Sequence, residues 1–320
     1  MHGRPALVPY LNPSAPVPVA ASALPRRAIA MMVTSTLCFG VMAVLIRIAS
    51  HSLHAFEIAF LRSLFGALAA LPLLLRGGWR TLYTDRLMFY VLRCAIGAVS
   101  MLAGFWAIAH LPLAQAIALS YSSPLFVTIG AVIFLGEVVR MRRWSAVVAG
   151  FIGVLVIVRP GSDAFTAASL VALFSAACSG AVTISIKFLS RTDPVATIVL
   201  LTTWLWVPLS LPAALAVWQW PSPGLLPLLV ALGVLGTAGQ YFWTHALRLA
   251  DASTLAPFSY LQLVFVAVLA WLMFAETPDR YTVLGAGIVI GASLYIARRE
   301  ARLARQRNQS PPRVLGQPAE

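Results

Sequence analysis

The residues from Ala114 to Leu135 form an apolar run long enough to cross a bilayer, and the polar stretch Ser120-Tyr121-Ser122-Ser123-Pro124 interrupts it in the middle. About 20 apolar residues in a helix span the hydrocarbon core. A proline inside such a helix removes one backbone donor and frees the carbonyl four residues back. Lipid cannot satisfy that carbonyl, so the break has to face protein or a water-filled cavity. This segment therefore belongs inside a bundle of helices, and whatever surrounds it must supply polar partners or water.

The same arrangement occurs a second time. Leu249 to Glu276 repeats the apolar lead-in, polar middle, aliphatic second half and terminal glutamate of the stretch that ends at Glu137. Ser259, Tyr260 and Gln262 fall where Ser120 to Ser123 fall in the first copy, and Pro257 supplies the break. Upstream, Phe105-Trp106 answers Phe242-Trp243; downstream, Val148-Ala149-Gly150 answers Gly285-Ala286-Gly287. The chain reads as a duplicated unit.

Ten apolar segments of roughly spanning length carry the two copies: Arg27–Ala49, Phe56–Leu75, Leu87–Ala109, Ala114–Leu135, Trp144–Val158, Thr166–Phe188, Val195–Trp218, Leu225–Leu247, Ala252–Ala275 and Thr282–Ala297. The fifth and tenth are short and rich in glycine, which lets helices approach closely. Residues 1–25, rich in proline and alanine and without the layout of a signal peptide, read as a disordered cytoplasmic tail. The units span residues 26–160 and 161–300, and residues 301–320 read as a second disordered tail. The expected fold is an all-α polytopic membrane protein.

Only 10% of residues are charged and 60% are hydrophobic, where a soluble domain carries roughly a quarter charged. The formal charge of +13 does not mark a nucleic-acid binder, because the basic residues are scattered as short caps between apolar runs. With the N-terminus in the cytoplasm, Arg26 and Arg27, Arg76 to Arg86, Arg140 to Arg143, Lys187 and Arg191, Arg248 and the arginines from Arg298 onward share that side. Only Arg47, Arg159 and Arg280 fall on the other. Both termini are then cytoplasmic. Each five-segment half crosses an odd number of times, so the second copy enters from the opposite face. Such inverted repeats are common in secondary transporters.

Ionisable residues within apolar segments are costly and mark function by default. Arg62 lies five residues after Glu57; a substrate-side or gating charge competes with a structural arginine paired to Glu57 or snorkelling to the interface. Arg93 is expected to snorkel. Glu137 and Glu276, repeat-equivalent at opposite faces, read as gating or structural charges, and His245 as the candidate proton site within the bilayer. The polar and aromatic residues Trp106, Tyr121, Ser122, Ser123, Gln240, Tyr241, Ser259, Tyr260 and Gln262 form the candidate substrate-binding set. Aromatic walls with a few hydroxyls and amides suit a neutral or zwitterionic, partly flat metabolite. Trp218, Trp220 and Trp271 fit a membrane-interface belt instead. The three cysteines, odd in number and each inside an apolar run, suggest no disulfide framework. No catalytic constellation, metal spacing or phosphate loop is present, so neither enzymatic chemistry nor a bound cofactor is expected.

The motifs together resemble the drug/metabolite transporter superfamily, specifically its EamA-type ten-helix carriers, over about residues 26 to 300. The resemblance is carried by FEIAFLRSLFG at Phe56 to Gly66, by LPLAQAIALSYSSPLFVTIGAVIFLGE with RRW at Arg142 to Trp144, and by GFIGVLVIVRPG at Gly150 to Gly161. LSRTD at Leu189 to Asp193 and PFSYLQLVF at Pro257 to Phe265 extend it toward the branch with bacterial riboflavin and S-adenosylmethionine carriers. It implies two inverted five-helix repeats around a central cavity lined by the first, third, fourth, sixth, eighth and ninth spans. It also implies a secondary carrier of a small organic metabolite in the bacterial inner membrane, whose partners are its solute and the lipid. An amino-acid or drug exporter of the same superfamily and a non-transporting membrane sensor stay open as alternatives.

Overall fold

Within lipid a backbone must satisfy its own polar groups, and helices do so within one segment. All regular structure among the described residues is helical. The computed structural model describes residues 26–78, 84, 86–135, 141–162, 165–189, 193–250, 255 and 258–309. Glu137, Pro257, the first tail and residues 310–320 lie outside them. The helices are α1 (Arg26–Ala49), α2 (Ala55–Ala69), α3 (Leu71–Gly77), α4 (Leu87–His110), α5 (Leu113–Ser120), α6 (Ser123–Leu135), α7 (Met141–Val158), α8 (Ala167–Leu189), α9 (Val195–Leu215), α10 (Leu226–Leu249), α11 (Leu261–Phe274) and α12 (Arg280–Gln309). A 3₁₀ turn, Pro223–Leu225, leads into α10.

Every expected segment holds helix, with three differences. Among the described residues, seven stretches are long and apolar enough to cross a membrane, one of them Leu113–Gly130, which runs through the first break. The second segment is two helices, α2 and α3, because Pro72 at the start of α3 cannot extend the ladder of α2. The tenth is not short: α12 continues for 30 residues to Gln309, into the expected tail, through the good helix formers Arg, Ala, Leu and Gln.

The two halves of the sequence interleave. The principal packings join one half to the other: α1 and α2 on α10, α4 on α8, α6 on α8 and α7 on α12. Small residues make these contacts close. A Cβ on Gly153 of α7 would sit 2.9 Å from the Gly285 carbonyl of α12, and one on Gly233 of α10 would sit 2.6 Å from the Gly66 amide of α2. Hydroxyls add bonds across the same seams: Ser35 donates to the Gly239 carbonyl at 2.8 Å and Thr237 to that of Gly66 at 3.1 Å.

The bundle has two ends. One gathers the C-termini of α1, α4, α7 and α11, with Arg47, His110, Arg159, Glu276 and Asp279. At the other, Tyr90 near the start of α4 donates to Asp193 just before α9, at 2.7 Å.

Candidate functional site

The first break is built from its own serines. α5 stops at Ser120, and the amides of Tyr121 and Ser122 turn back to the carbonyls of Ala118 and Leu119 at 3.3 and 3.0 Å. The Ser120 and Ser122 hydroxyls donate to the carbonyls of Ile117 and Leu119, each at 2.7 Å. α6 restarts at Ser123 with Pro124 in its first turn, where a missing N–H costs nothing. The second break ends at Tyr260, whose carbonyl accepts from the Leu263 amide at 3.1 Å as α11 begins.

The two breaks meet. The Tyr121 hydroxyl donates to the Ser259 carbonyl at 2.7 Å and reaches Gln262 Oε1 at 3.4 Å. Its ring sits edge-on to that of Tyr260, with centroids 4.8 Å apart. Ser293 of α12 donates to the Tyr121 carbonyl at 3.4 Å. A backbone carbonyl, an amide side chain and two phenol rings thus converge where both helices are interrupted.

Other expected site residues lie elsewhere or are already engaged. Ser122 is fully buried with its hydroxyl on backbone. Ser123 is half-buried, and its carbonyl closes on Gly180 of α8. Trp106 stacks on His110 at 4.1 Å, near the end of α4. Gln240, Tyr241 and His245 form a separate half-buried group on α10, where the Tyr241 and His245 rings are 4.5 Å apart.

The charges correct the sequence reading more sharply. Arg62 neither pairs with Glu57 nor snorkels. Its guanidinium is buried 5.2 Å over the Trp206 ring, with Nη1 3.6 Å from Met101 Sδ and no partner for Nε. Gly236 makes the room, since a Cβ there would lie 2.6 Å from Nε. Glu57 is wholly buried; one oxygen accepts from the Gln219 amide at 3.3 Å and the other has no partner. Arg93 does not snorkel either, being 3% exposed and bonded to Thr202 at 2.7 Å.

Glu276 is better connected than Glu57. It accepts from Arg47 at 2.9 Å and from the Leu113 amide at 2.8 Å. Three residues on, Asp279 takes an ion pair from Arg159 and a bond from the Thr282 amide at 2.8 Å. Partial burial alone would raise the Asp279 carboxyl; its bonds with Thr282 and the nearby guanidinium outweigh that and hold it below the ordinary value.

Sequence reasoning missed the serine cluster between α4 and α8. There Ser100 and Ser175 exchange hydroxyl-to-carbonyl bonds at 2.8 and 2.7 Å, and Ser179 joins at 2.7 Å. Single serines in apolar runs carry no pattern that signals such a seam. Among the described residues no group of three or more His, Cys, Asp or Glu side chains is placed to hold a metal ion.

The model of the EamA-like transporter family matches residues 26–159 and again residues 166–298. The chain belongs to the EamA-like transporter family. It is a multi-pass membrane protein. The family match falls twice, as the internal duplication requires. A riboflavin transporter of Brucella anthropi is 36% identical over 258 residues, covering 78% of this chain and 89% of that protein. An S-adenosylmethionine uptake transporter of Rickettsia felis is 33% identical, covering 81% and 88%. A pseudopaline exporter of Pseudomonas aeruginosa is 31% identical, covering 85% and 96%. A solved crystal structure shares the fold with a TM-score of 0.60 at 18% identity, over 89% of this chain and 99% of that one.

Proposed function

We propose that this family member is a secondary carrier of a partly flat, heteroaromatic metabolite of the riboflavin or S-adenosylmethionine kind. It works by alternating access in the bacterial inner membrane. Its ten apolar segments cross the membrane as two inverted five-helix repeats with both termini cytoplasmic. The observation that carries this reading is the meeting of the two breaks, where the Tyr121 hydroxyl lies 2.7 Å from the Ser259 carbonyl. Broken helices at repeat interfaces are where secondary transporters bind their solutes.

At this junction Tyr121 and Tyr260 offer aromatic faces, while Gln262 and the Ser259 carbonyl offer polar groups to the edges of a ring; Ser123 stays in the proposed lining on the α8 side. The contacts now joining Tyr121 to Ser259 and Gln262 are those a solute would take over as it enters. Trp106, Gln240 and Tyr241 remain in the proposed lining, farther from the junction, while Ser122, its hydroxyl on the Leu119 carbonyl, shapes the break itself. His245, paired with Tyr241, is the proposed proton site, and Glu57, Arg62 and Glu137 are charges that act in folding or gating.

Uptake into vesicles, paired with thermal stabilisation of purified protein by riboflavin and by S-adenosylmethionine, tests the reading. Tyr121→Phe keeps the ring and loses the hydroxyl; Gln262→Ala loses the amide. Each lost polar contact costs roughly 1–3 kcal/mol, so affinity should fall about tenfold to a hundredfold in protein that still inserts. Unchanged affinity in both variants, for a solute that wild type transports, would place the pocket elsewhere.

A further inference from the structure

Arg47 closes the α1 helix at the end of the bundle where Glu276 lies, and its partners lie far from it in the sequence. Its Nη1 reaches the carbonyls of Ile108, Ala109 and Leu111 at 3.0, 2.8 and 3.2 Å. Its Nη2 binds Glu276 Oε1 at 2.9 Å, and the second oxygen of that carboxylate takes the Leu113 amide at 2.8 Å. The chemistry of each partner explains the choice. The last carbonyls of α4 lack helical donors and carry the negative end of its dipole, which favours a cation. A guanidinium presents several donors in one plane and can serve them and a carboxylate together. The first amides of α5 lack acceptors, and Pro112 before them offers no side-chain cap. One ion pair therefore fixes the α4–α5 corner to α1 on one side and to the end of α11 on the other.

The position of that corner gives the pair its meaning. α5 is eight residues long, about 12 Å as a helix. Leu113 stands at one end of it and Tyr121 directly follows the other. α11 begins after Tyr260 and runs for 14 residues to within two positions of Glu276. The two short helices pack on each other through Leu113, Ile117, Val266 and Ala270, together with Ala43 and Val44 of α1. The proposed solute junction and the Arg47–Glu276 pair are thus opposite ends of the same two rods. Moving the breaks apart tilts the rods and bears on the pair; releasing the pair frees the rods beneath it. The second ion pair at this end, Arg159 with Asp279, serves helices of a different kind. It ties α7 to the start of α12, and those helices are already locked by the close approach of Gly153 and Gly285.

We propose that Arg47 and Glu276 form the gate at this end of the carrier: transport requires the pair to part while Arg159–Asp279 stays closed as the pivot. This rests on the alternating-access reading above, yet its deciding measurement, the labelling rate, uses no solute. Ile117 is 6% exposed inside the α1–α5–α11 cluster. A cysteine there meets water only when those helices separate. In a background with Cys38, Cys94 and Cys178 replaced by alanine, Ile117→Cys is labelled with a maleimide in purified, detergent-solubilised protein.

With the pair intact, labelling should be slow. Arg47→Gln and Glu276→Gln should each speed it about tenfold or more and lower the transport rate. Arg47→Lys keeps the charge but cannot serve all four acceptors, so it should fall between. Asp279→Asn should lower the melting temperature without speeding the label. Equal labelling rates in wild type, Arg47→Gln and Glu276→Gln would overturn the gate, as would equal acceleration by Asp279→Asn. If the two glutamine variants do not accumulate, Arg47→Lys decides: no change in its labelling rate also overturns the gate. A solute that fails to stabilise wild type, beside an unaltered labelling pattern, would count against the substrate reading alone.

Discussion

Arg62 shows how a single residue can be legible as costly and illegible in its partners. Its place in an apolar segment marks it from the sequence, but the groups it touches come from helices far away in the chain. Met101 and Trp206 sit on α4 and α9, and α10 contributes the missing side chain of Gly236. Five residues along a helix turn two side chains to different faces, which is why Glu57 is not the partner. Gly236→Ala would put a Cβ 2.6 Å from Nε and Nη2 of Arg62. That overpacking should cost about 1–3 kcal/mol, read as a lower melting temperature. Arg62→Met replaces the guanidinium with a flexible apolar chain, so the double variant should lose less than the sum of the two single losses. Strict additivity would mean that Gly236 does not make room for Arg62. The tyrosines of the breaks were easier to read, because duplication puts them at matching places in both units. Their mutual contact follows from how the copies face each other, which no single copy contains.

At the scale of elements, the two breaks and the glycine-rich character of the fifth and tenth segments could be read locally, because each depends on a few neighbouring residues; that those two segments pack on each other could not. The division of the second segment at Pro72 and the extension of α12 to Gln309 were missed for the same kind of reason. Hydropathy follows lipid exposure, and neither a mid-segment stop nor a polar extension changes it in a way that marks a boundary. The cap of α2 carries a pH dependence. His54 Nδ1 accepts the Phe56 amide at 3.3 Å, and burial, with His110 nearby, holds the imidazole below its ordinary value of 6.5. The folded state therefore favours the neutral ring more than the unfolded state does. Its contribution is fully present above 6.5 and is lost as the pH falls through that value toward the lower folded one. The melting temperature of wild type should accordingly drop between about pH 7.5 and pH 5.5 by more than that of His54→Asn, which keeps a capping oxygen without a titrating group. Parallel curves for the two proteins would remove His54 from the pH response.

For the whole molecule, the informative fact is that two copies of one unit do not make two domains. α1 lies on α10, α4 on α8 and α7 on α12, so each half completes its packing with the other. The polar groups within the apolar segments make this strict. The Ser100 hydroxyl of the first half reaches the carbonyl of Ser175 and the hydroxyl of Ser179 in the second, and the Ser35 hydroxyl reaches the carbonyl of Gly239. A half alone would leave these groups facing lipid, each at a cost of up to several kcal/mol. Residues 26–160 or 161–309 expressed alone should therefore insert but be cleared, or aggregate on extraction. The two co-expressed as separate chains should recover each other and purify as one complex with solute-dependent stabilisation. The cut falls between α7 and α8, where the peptide link holds no helix together. Recovery from two pieces would show that the fold is specified by the seams between the copies. A lone half that purifies as a stable monomer would show the opposite, and the gate and the substrate junction, both made of residues from the two halves, would then need another origin.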